Sequence, residues 1–317
     1  MPIITAPVIT PEIPETPPVE IPEIGYASVT YVDPTGTRWP MTDLSASWYT
    51  LAENVSGMGA APYTLTADPH PRGGSRLRHV QPQSRDIVWP VFVKGIDHMA
   101  FTKNWRDLAR AFTRTLREGP GWLEVARPDG SARRIAVYYN GGWDGRGQTA
   151  TGINWDSAVL TLWCEDPYWQ DVQAQTVHRE SGSQVDYLAP YPSVSSSQVL
   201  GATTVDNGGD VDVWPTWTVT GPATSITFTR EDTGEAFTLD MLATAHGALL
   251  SGQTVTISTD PPRVRSGTGE VLTPGLNYPD AVLWSIPPGR TPVTFLLAGA
   301  ESGSAVDLTF YPRYETA

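Results

Sequence analysis

Glu165 and Asp166 close the run Leu162-Trp163-Cys164-Glu165-Asp166-Pro167-Tyr168-Trp169 and are the first residues to test for acid–base chemistry. A glycosidase needs two carboxyl groups facing each other across one bond. Neighbouring residues on a strand point to opposite faces, so this pair reads as a strand end at the turn before Pro167. The segment Asp206-Asn207-Gly208-Gly209-Asp210-Val211-Asp212 sets oxygen ligands at alternating positions, a pattern that suits calcium. It lacks the distant Glu and the flanking helices of an EF-hand, and so reads as a turn leading into a strand. Five histidines (His70, His79, His98, His178 and His246) are scattered, with no pair at metal-ligand spacing. The sole cysteine, Cys164, excludes an internal disulfide framework and a cysteine-based zinc cluster, and reads as a small buried hydrophobe. No GxSxG, no Walker loop and no GxGxxG between strand and helix occurs. The sequence therefore offers no catalytic residue, no metal site and no cofactor.

Binding chemistry has more material. Among twelve tryptophans, Trp214, Trp217 and Trp284 lie in the second half, where an exposed ring at Trp214 or Trp284 would stack on a sugar. The competing reading puts these rings in cores and subunit contacts. Arg72, Arg76, Arg78 and Arg85 surround Gly73-Gly74 and would line a channel, meet an acidic neighbour or decorate a surface loop. Phe101, Trp105, Leu108, Phe112 and Leu116 recur at helical spacing, with Lys103, Arg106, Asp107, Arg110, Arg114 and Arg117 between them. Thr102 is the expected N-cap, and Gly119-Pro120-Gly121 the stop. Asp107 and Glu118 share the basic face and no aromatic platform interleaves, so Arg106, Arg110 and Arg114 are read as facing solvent or a neighbouring subunit rather than nucleic acid.

The elements around this helix are strands. Ser28–Val32 alternates and meets the turn Asp33-Pro34-Thr35-Gly36. Thr64–Thr66 and Arg76–Val80 flank a Pro/Gly loop. Arg85–Lys94 is a strong apolar run whose Pro90 predicts an edge or a bulge. Trp122–Arg127 and Ala132–Tyr139 flank Pro128-Asp129-Gly130-Ser131 as a hairpin. Asp156–Trp163 is apolar on both faces and so belongs in the middle of a sheet. Beyond residue 200, runs at Val213–Thr220, Ser225–Arg230, Glu235–Leu239, Thr254–Ser258, Ala281–Ile286, Val293–Leu297 and Ala305–Phe310 predict a β-sandwich.

With 29 glycines, 29 prolines and 40% hydrophobic residues in 317, the chain reads as mainly β, with real cores and about two domains. Four segments are expected: a Pro-rich extended arm at 1–24, a β domain with one helix at 25–170, a linker or long loop at 171–200, and the sandwich at 201–317. The arm repeats Pro with Ile, Val and Glu and would reach on the order of 70 Å as polyproline-like chain. Its apolar residues, Ile3, Ile9 and Ile13 among them, exceed what a linker needs, so it is read as lying across a neighbouring subunit. Net charge is −13 and unevenly placed. Residues 25–170 hold 15 bases against 14 acids, whereas residues 171–317 hold 6 against 16. An acidic second half argues against sequence-specific nucleic-acid binding and fits a solvated outer domain, and a near-neutral first half suits self-association. No apolar stretch is long enough to insert in a membrane, and the Pro-broken start does not read as a secretory signal, so the expectation is a chain made in a cytoplasm that leaves it only inside a larger particle.

The order of these pieces resembles the distal tail proteins of long-tailed bacteriophages. The first half is similar in Arg85–Lys94, the helix Phe101–Arg117, the hairpin Gly119–Tyr139 and Cys164–Trp169. In the second half the similar residues are Val205–Gly209, Trp214-Pro215-Thr216-Trp217, Gly221-Pro222, Thr233-Gly234 and Phe310–Tyr314. The resemblance implies a galectin-like sandwich and a structural virion protein. It implies a homo-oligomeric ring of six copies that joins the tail tube protein to the tail-tip or baseplate hub protein. The tape-measure protein, and then DNA in transit, would pass through its opening. A head-to-tail interface whose rotation closes is required. The alternative is a host-surface carbohydrate-binding tail protein working through its sandwich. The Pro-rich start falls outside the family pattern.

Overall fold

The computed structural model describes residues 27–51, 53–145, 153–181 and 199–317. The Pro-rich arm, with Ile3, Ile9 and Ile13, lies outside the described residues. The chain opens with β1 (Ser28–Val32), β2 (Arg38–Pro40) and β3 (Trp48–Thr50), then a ribbon of β4 (Tyr63–Pro69) and β5 (Ser75–Pro82), then β6 (Arg85–Lys94). Helix α1 (His98–Thr113) and the short α2 (Thr115–Glu118) follow, and β7 (Gly121–Ala126), β8 (Ala132–Gly141), β9 (Trp155–Cys164) and β10 (Trp169–Asp171) complete this part.

One sheet runs in the order β2-β1-β7-β8-β9-β6-β3. The helix backs it because alternate residues of β6 (Ile87, Trp89, Val91, Val93) and the helical positions Phe101, Leu108, Ala111 and Phe112 enter one core. Tyr31 of β1 stacks on Phe112 at 4.3 Å between ring centres, and its hydroxyl donates to the Ala111 carbonyl at 3.1 Å. The same ring explains Gly121, where a Cβ would stand 2.6 Å from the Tyr31 ring.

Several local expectations shift. The helix begins three residues earlier than its apolar spacing suggests. Asp97, not Thr102, caps it, its carboxylate accepting from the Ala100 amide at 2.7 Å, while the Thr102 hydroxyl donates to the His98 carbonyl within the first turns. The helix is re-initiated at Arg114, so Thr115 takes the buried place and Leu116 is 60% exposed. Gly119, at φ 106°, ends the turn in a backbone conformation that favours glycine. Strand β9 sits between β8 and β6, as its two apolar faces require. Strand β6 is not an edge. Pro90 is tolerated because β3 pairs only as far as Thr50↔Val91, and the Pro90 carbonyl accepts from the Leu51 amide.

The second core is a sandwich. Its further strands are β11 (Gln175–Glu180), β12 (Val199–Asn207), β13 (Thr216–Thr220), β14 (Ser225–Arg230), β15 (Glu235–Asp240), β16 (Thr254–Thr259), β17 (Pro262–Ser266), β18 (Gly289–Ala298) and β19 (Ala305–Phe310). A five-stranded sheet, β11-β19-β13-β16-β17, faces a four-stranded one, β12-β18-β14-β15. Trp217, Phe228, Phe237, Trp284 and Phe295 meet edge-on or tilted at 5.0–5.8 Å between them.

Residues 175–180, read as linker, instead pair with β19 along its whole length. Val199–Asn207 is a strand too, hidden in sequence by its Gly and run of Thr. Ala281–Ile286, read as a strand, forms no ladder among the described residues: Ile286 bridges Val213, and the Val282 amide donates to the Ala236 carbonyl at 2.9 Å. The closing residues cross back: β20 (Arg313–Tyr314) pairs with β10, which also pairs with β8. The first sheet therefore includes a strand from each side of the sandwich.

Candidate functional site

No acid–base or metal chemistry assembles among the described residues. Glu165 and Asp166 lie just past the end of β9, and Asp166 is engaged by Arg313, one guanidinium nitrogen reaching both oxygens at 2.6 and 2.5 Å. In the Asp206–Asp212 loop, the Asn207 amide donates to the carbonyls of Val211 and Ile286, and its oxygen accepts from the Gly209 amide. Asp210 accepts from the Glu315 amide, Asp212 from the Ser285 hydroxyl, and Asp206 turns toward Arg290. Each carboxylate serves a different neighbour, and the loop is the turn between β12 and β13. Among the described residues no cluster of three His, Cys, Asp or Glu could hold a metal. Burial pushes the Cys164 thiol up to about 12, so at neutral pH it stays an inert thiol. Among the described residues no helix is long and apolar enough to cross a membrane.

The two sugar-stacking candidates part company. Trp284 is 1% exposed, with its indole nitrogen donating to the Phe228 carbonyl at 3.3 Å. It is a core residue, and a sugar has no access to its face. Trp214, 46% exposed, keeps an open ring.

The three helix arginines also differ. Arg106 and Arg110 are exposed, and Arg110 stands 3.6 Å from Asp107, which Lys103 also pairs at 2.8 Å. Arg114 is committed within the chain, to Asp33 at 3.3 Å. Burial alone would raise the Asp33 carboxyl. Hydrogen bonds from Thr35, Trp39 and Thr37 overcome it and hold the group below the usual carboxylate range. Arg114 thus ties the helix end to the turn after β1.

Sequence reasoning grouped Arg85 with Arg72, Arg76 and Arg78, and the structure separates them. Arg85 is 4% exposed and donates to the carbonyls of Gly57, Gly59 and Glu315. The Glu315 carboxylate accepts from the Ala61 amide at 3.0 Å and from the Tyr63 hydroxyl at 2.5 Å, and Tyr63 also meets the Tyr168 hydroxyl at 3.0 Å. Arg133 lies over the Tyr314 ring, Arg134 over Trp122 and Tyr311, and Arg313 over Tyr168. These residues form a seam fastening the final strand to the first sheet. Nothing in local periodicity announces it, because its members lie far apart in the chain.

The other arginines belong to the ribbon β4–β5, whose strands pair only with each other among the described residues. Its register places Tyr63↔Pro82, Leu65↔Val80 and Ala67↔Leu77 in line, with Arg78 the extra residue of a bulge. Strand alternation puts these six on one face. The other face carries Thr64, Thr66, Asp68, Arg76, His79 and Gln81, and Arg78 pairs with Asp68. Leu65 is 64% exposed, Leu77 55%, Val80 42% and Tyr63 41%.

A helix-backed sheet joined through a seam to a nine-stranded sandwich defines a fold shared with phage tail-hub proteins. The chain is similar to the phage SPP1 Dit (gp 19.1) protein, described as a paradigm of hub adsorption apparatus in phages infecting Gram-positive hosts. That likeness has a TM-score of 0.62 at 13% identity and covers 91% of this chain and 99% of that one. It is also similar to a chain of the phage p2 baseplate in its activated conformation with Ca, with a TM-score of 0.56 at 10% identity, over 92% of this chain and 100% of that one. The same baseplate with Sr gives the same values. No protein-family model matches the sequence, and no curated protein matches it. The fold is Dit-like, mainly β with a single long helix among the described residues, and the likeness covers 91% of the chain.

Proposed function

We propose that this chain is a structural component of a phage tail, a distal tail protein whose copies form a ring between the tail tube and the tip or baseplate hub. The observation that carries this is the extent of the likeness: a Dit-like fold over 91% of this chain and 99% of the SPP1 protein. Charge supports it, since the helix-backed sheet is close to neutral and suited to meeting copies of itself, while the sandwich is strongly acidic and suited to solvent. In this reading the chain acts in the virion. The first unit (about residues 25–170) builds the ring, and the sandwich is carried on the rim. The tube protein, the tape-measure protein and the hub are its neighbours, and DNA passes through the opening without being read. Six copies close the ring. The exposed arginines Arg106 and Arg110 and the arm with Ile3, Ile9 and Ile13 are interface candidates, whereas Arg114 is already tied to Asp33. The chain does no chemistry of its own.

Mass photometry of the purified full chain tests this: discrete ring-sized particles are expected, and a monomer at every concentration would refute it. The exposed Trp214 favours a second reading, sugar binding by the sandwich. A glycan array comparing the full chain with Trp214→Ala decides it, and identical profiles would end that reading.

A further inference from the structure

We infer that residues 312–317 are a clasp that opens while both cores stay folded, and that through Glu315 its opening frees the sandwich and the base of the β4–β5 ribbon together. This concerns the mechanics of a single chain and stands whether or not copies close into a ring.

The first observation is how little else joins the halves. The two cores share no residue. Among the described residues, the only apolar side chains from beyond residue 174 that pack against the first core are those of Tyr314 and Ala317. Every hydrogen bond between the described residues of 27–174 and those of 175–317 has a partner in 312–317. Opening these contacts leaves the halves joined by the chain at residues 171–175.

The second observation is the kind of contact. Arg313 pairs with the exposed Asp166 on one side and donates to the Asp212 carbonyl at 3.2 Å on the other. The carbonyls of Thr316 and Ala317 accept from Arg133 and Arg127, and the Ala317 amide donates to the Met58 carbonyl. Exposed hydrogen bonds and ion pairs add little net stability each, whereas each core buries a full set of apolar side chains. A segment held mainly by such bonds opens at a lower free energy than the cores unfold.

The third observation is Glu315, which meets three units at once. Its amide donates to the Asp210 carboxylate of the sandwich at 3.1 Å. Its own carboxylate accepts from the Ala61 amide and from the Tyr63 hydroxyl at the foot of the ribbon. Its carbonyl accepts from the buried Arg85 at 3.1 Å. Among the described residues no other hydrogen bond links ribbon and sandwich, so a displacement of either reaches the other through this residue. Coupling of this sort is reciprocal and needs one element with two arrangements, here the clasp shut or open.

Hydrogen exchange of the full chain tests this. In wild type the amides of Ala61, Asp171, Asp210 and Ala317, all bonded across the clasp, should exchange together and faster than the core amides of Leu160 and Leu308. Asp210→Ala removes a contact on the sandwich side alone and should speed exchange at Ala61 about tenfold. Spin labels at Ile96→Cys and Leu242→Cys, both exposed positions, report the distance between the halves when labelled chain is diluted with unlabelled; Cys164 is buried and stays unlabelled. Arg313→Ala with Glu315→Ala should replace one narrow distance by a broad spread, with near-ultraviolet circular dichroism unchanged. Clasp amides that exchange only with the core amides, an Ala61 rate indifferent to Asp210→Ala, or a narrow distance kept by the double variant would each overturn the inference. Ring assembly, read separately by mass photometry, bears on the proposed function and not on the clasp.

Discussion

In the sandwich, β14 and β18 bury every second side chain, and the aromatic residues they contribute close on Trp217 and Trp284 with no ring left outside. In the helix-backed half the same alternation is present but unfinished: the β6–β9 face away from the helix stays partly open, and the β4–β5 ribbon is exposed along nearly its whole length. The facing strands of the sandwich close on their own chain, and part of the other half's apolar surface stays open. Sequence patterning shows that a strand has an apolar face. Whether that face meets its own chain or another is decided by topology.

Substitutions can break this contrast. The largest effect is expected inside the sandwich. Phe228→Ala removes a ring that touches Trp217, Phe237 and Phe295, and should cost about 3–5 kcal/mol in urea unfolding. Next comes the seam. Arg85→Met removes the buried guanidinium that serves three carbonyls, a loss of about 2–3 kcal/mol, and should loosen the ribbon base as measured by hydrogen exchange at Tyr63–Pro69. Asp33 gives a smaller, pH-dependent effect. Its folded pKa lies below its unfolded value, so its contribution is complete above about pH 4 and is lost as pH falls through the folded value. Asp33→Asn should flatten that acid limb of the stability curve, and an unchanged limb would remove Asp33 as its source. The smallest effect belongs to the ribbon. Leu65→Asp should change stability by less than about 0.5 kcal/mol in urea unfolding, the opposite extreme from Phe228→Ala.

The sequence made much of this legible where one strong local pattern was in charge. The Pro128–Ser131 turn delivers its hairpin, with the Asp129 carboxylate accepting from the Ser131 amide at 2.9 Å and Gly130 at φ 85°. The helix core positions Phe101, Leu108 and Phe112 were readable from spacing alone. The helix start was not, because Ile96, 94% exposed, and Met99 break the apolar rhythm ahead of it. Strand β12 was missed for its Gly and Thr, and Ala281–Ile286 was mistaken for a strand because buried irregular chain is as apolar as a strand. Trp214 and Trp284 look alike in sequence, and only the closing of the sandwich puts one outside and the other within. The seam was illegible for a different reason. Residues 63, 85, 168, 313 and 315 are joined by tertiary contact, and no periodicity spans such separations.

The meeting of β10 with β20 has a mechanical corollary. The chain leaves the first sheet at Asp171 and returns at Arg313, and the two crossings lie side by side, the Asp171 amide bonded to the Pro312 carbonyl at 2.9 Å. A single tether lets one body swivel about any direction. Two tethers bonded side by side restrict that freedom more than either would alone. Load passed from one half to the other is therefore shared between two strands of backbone.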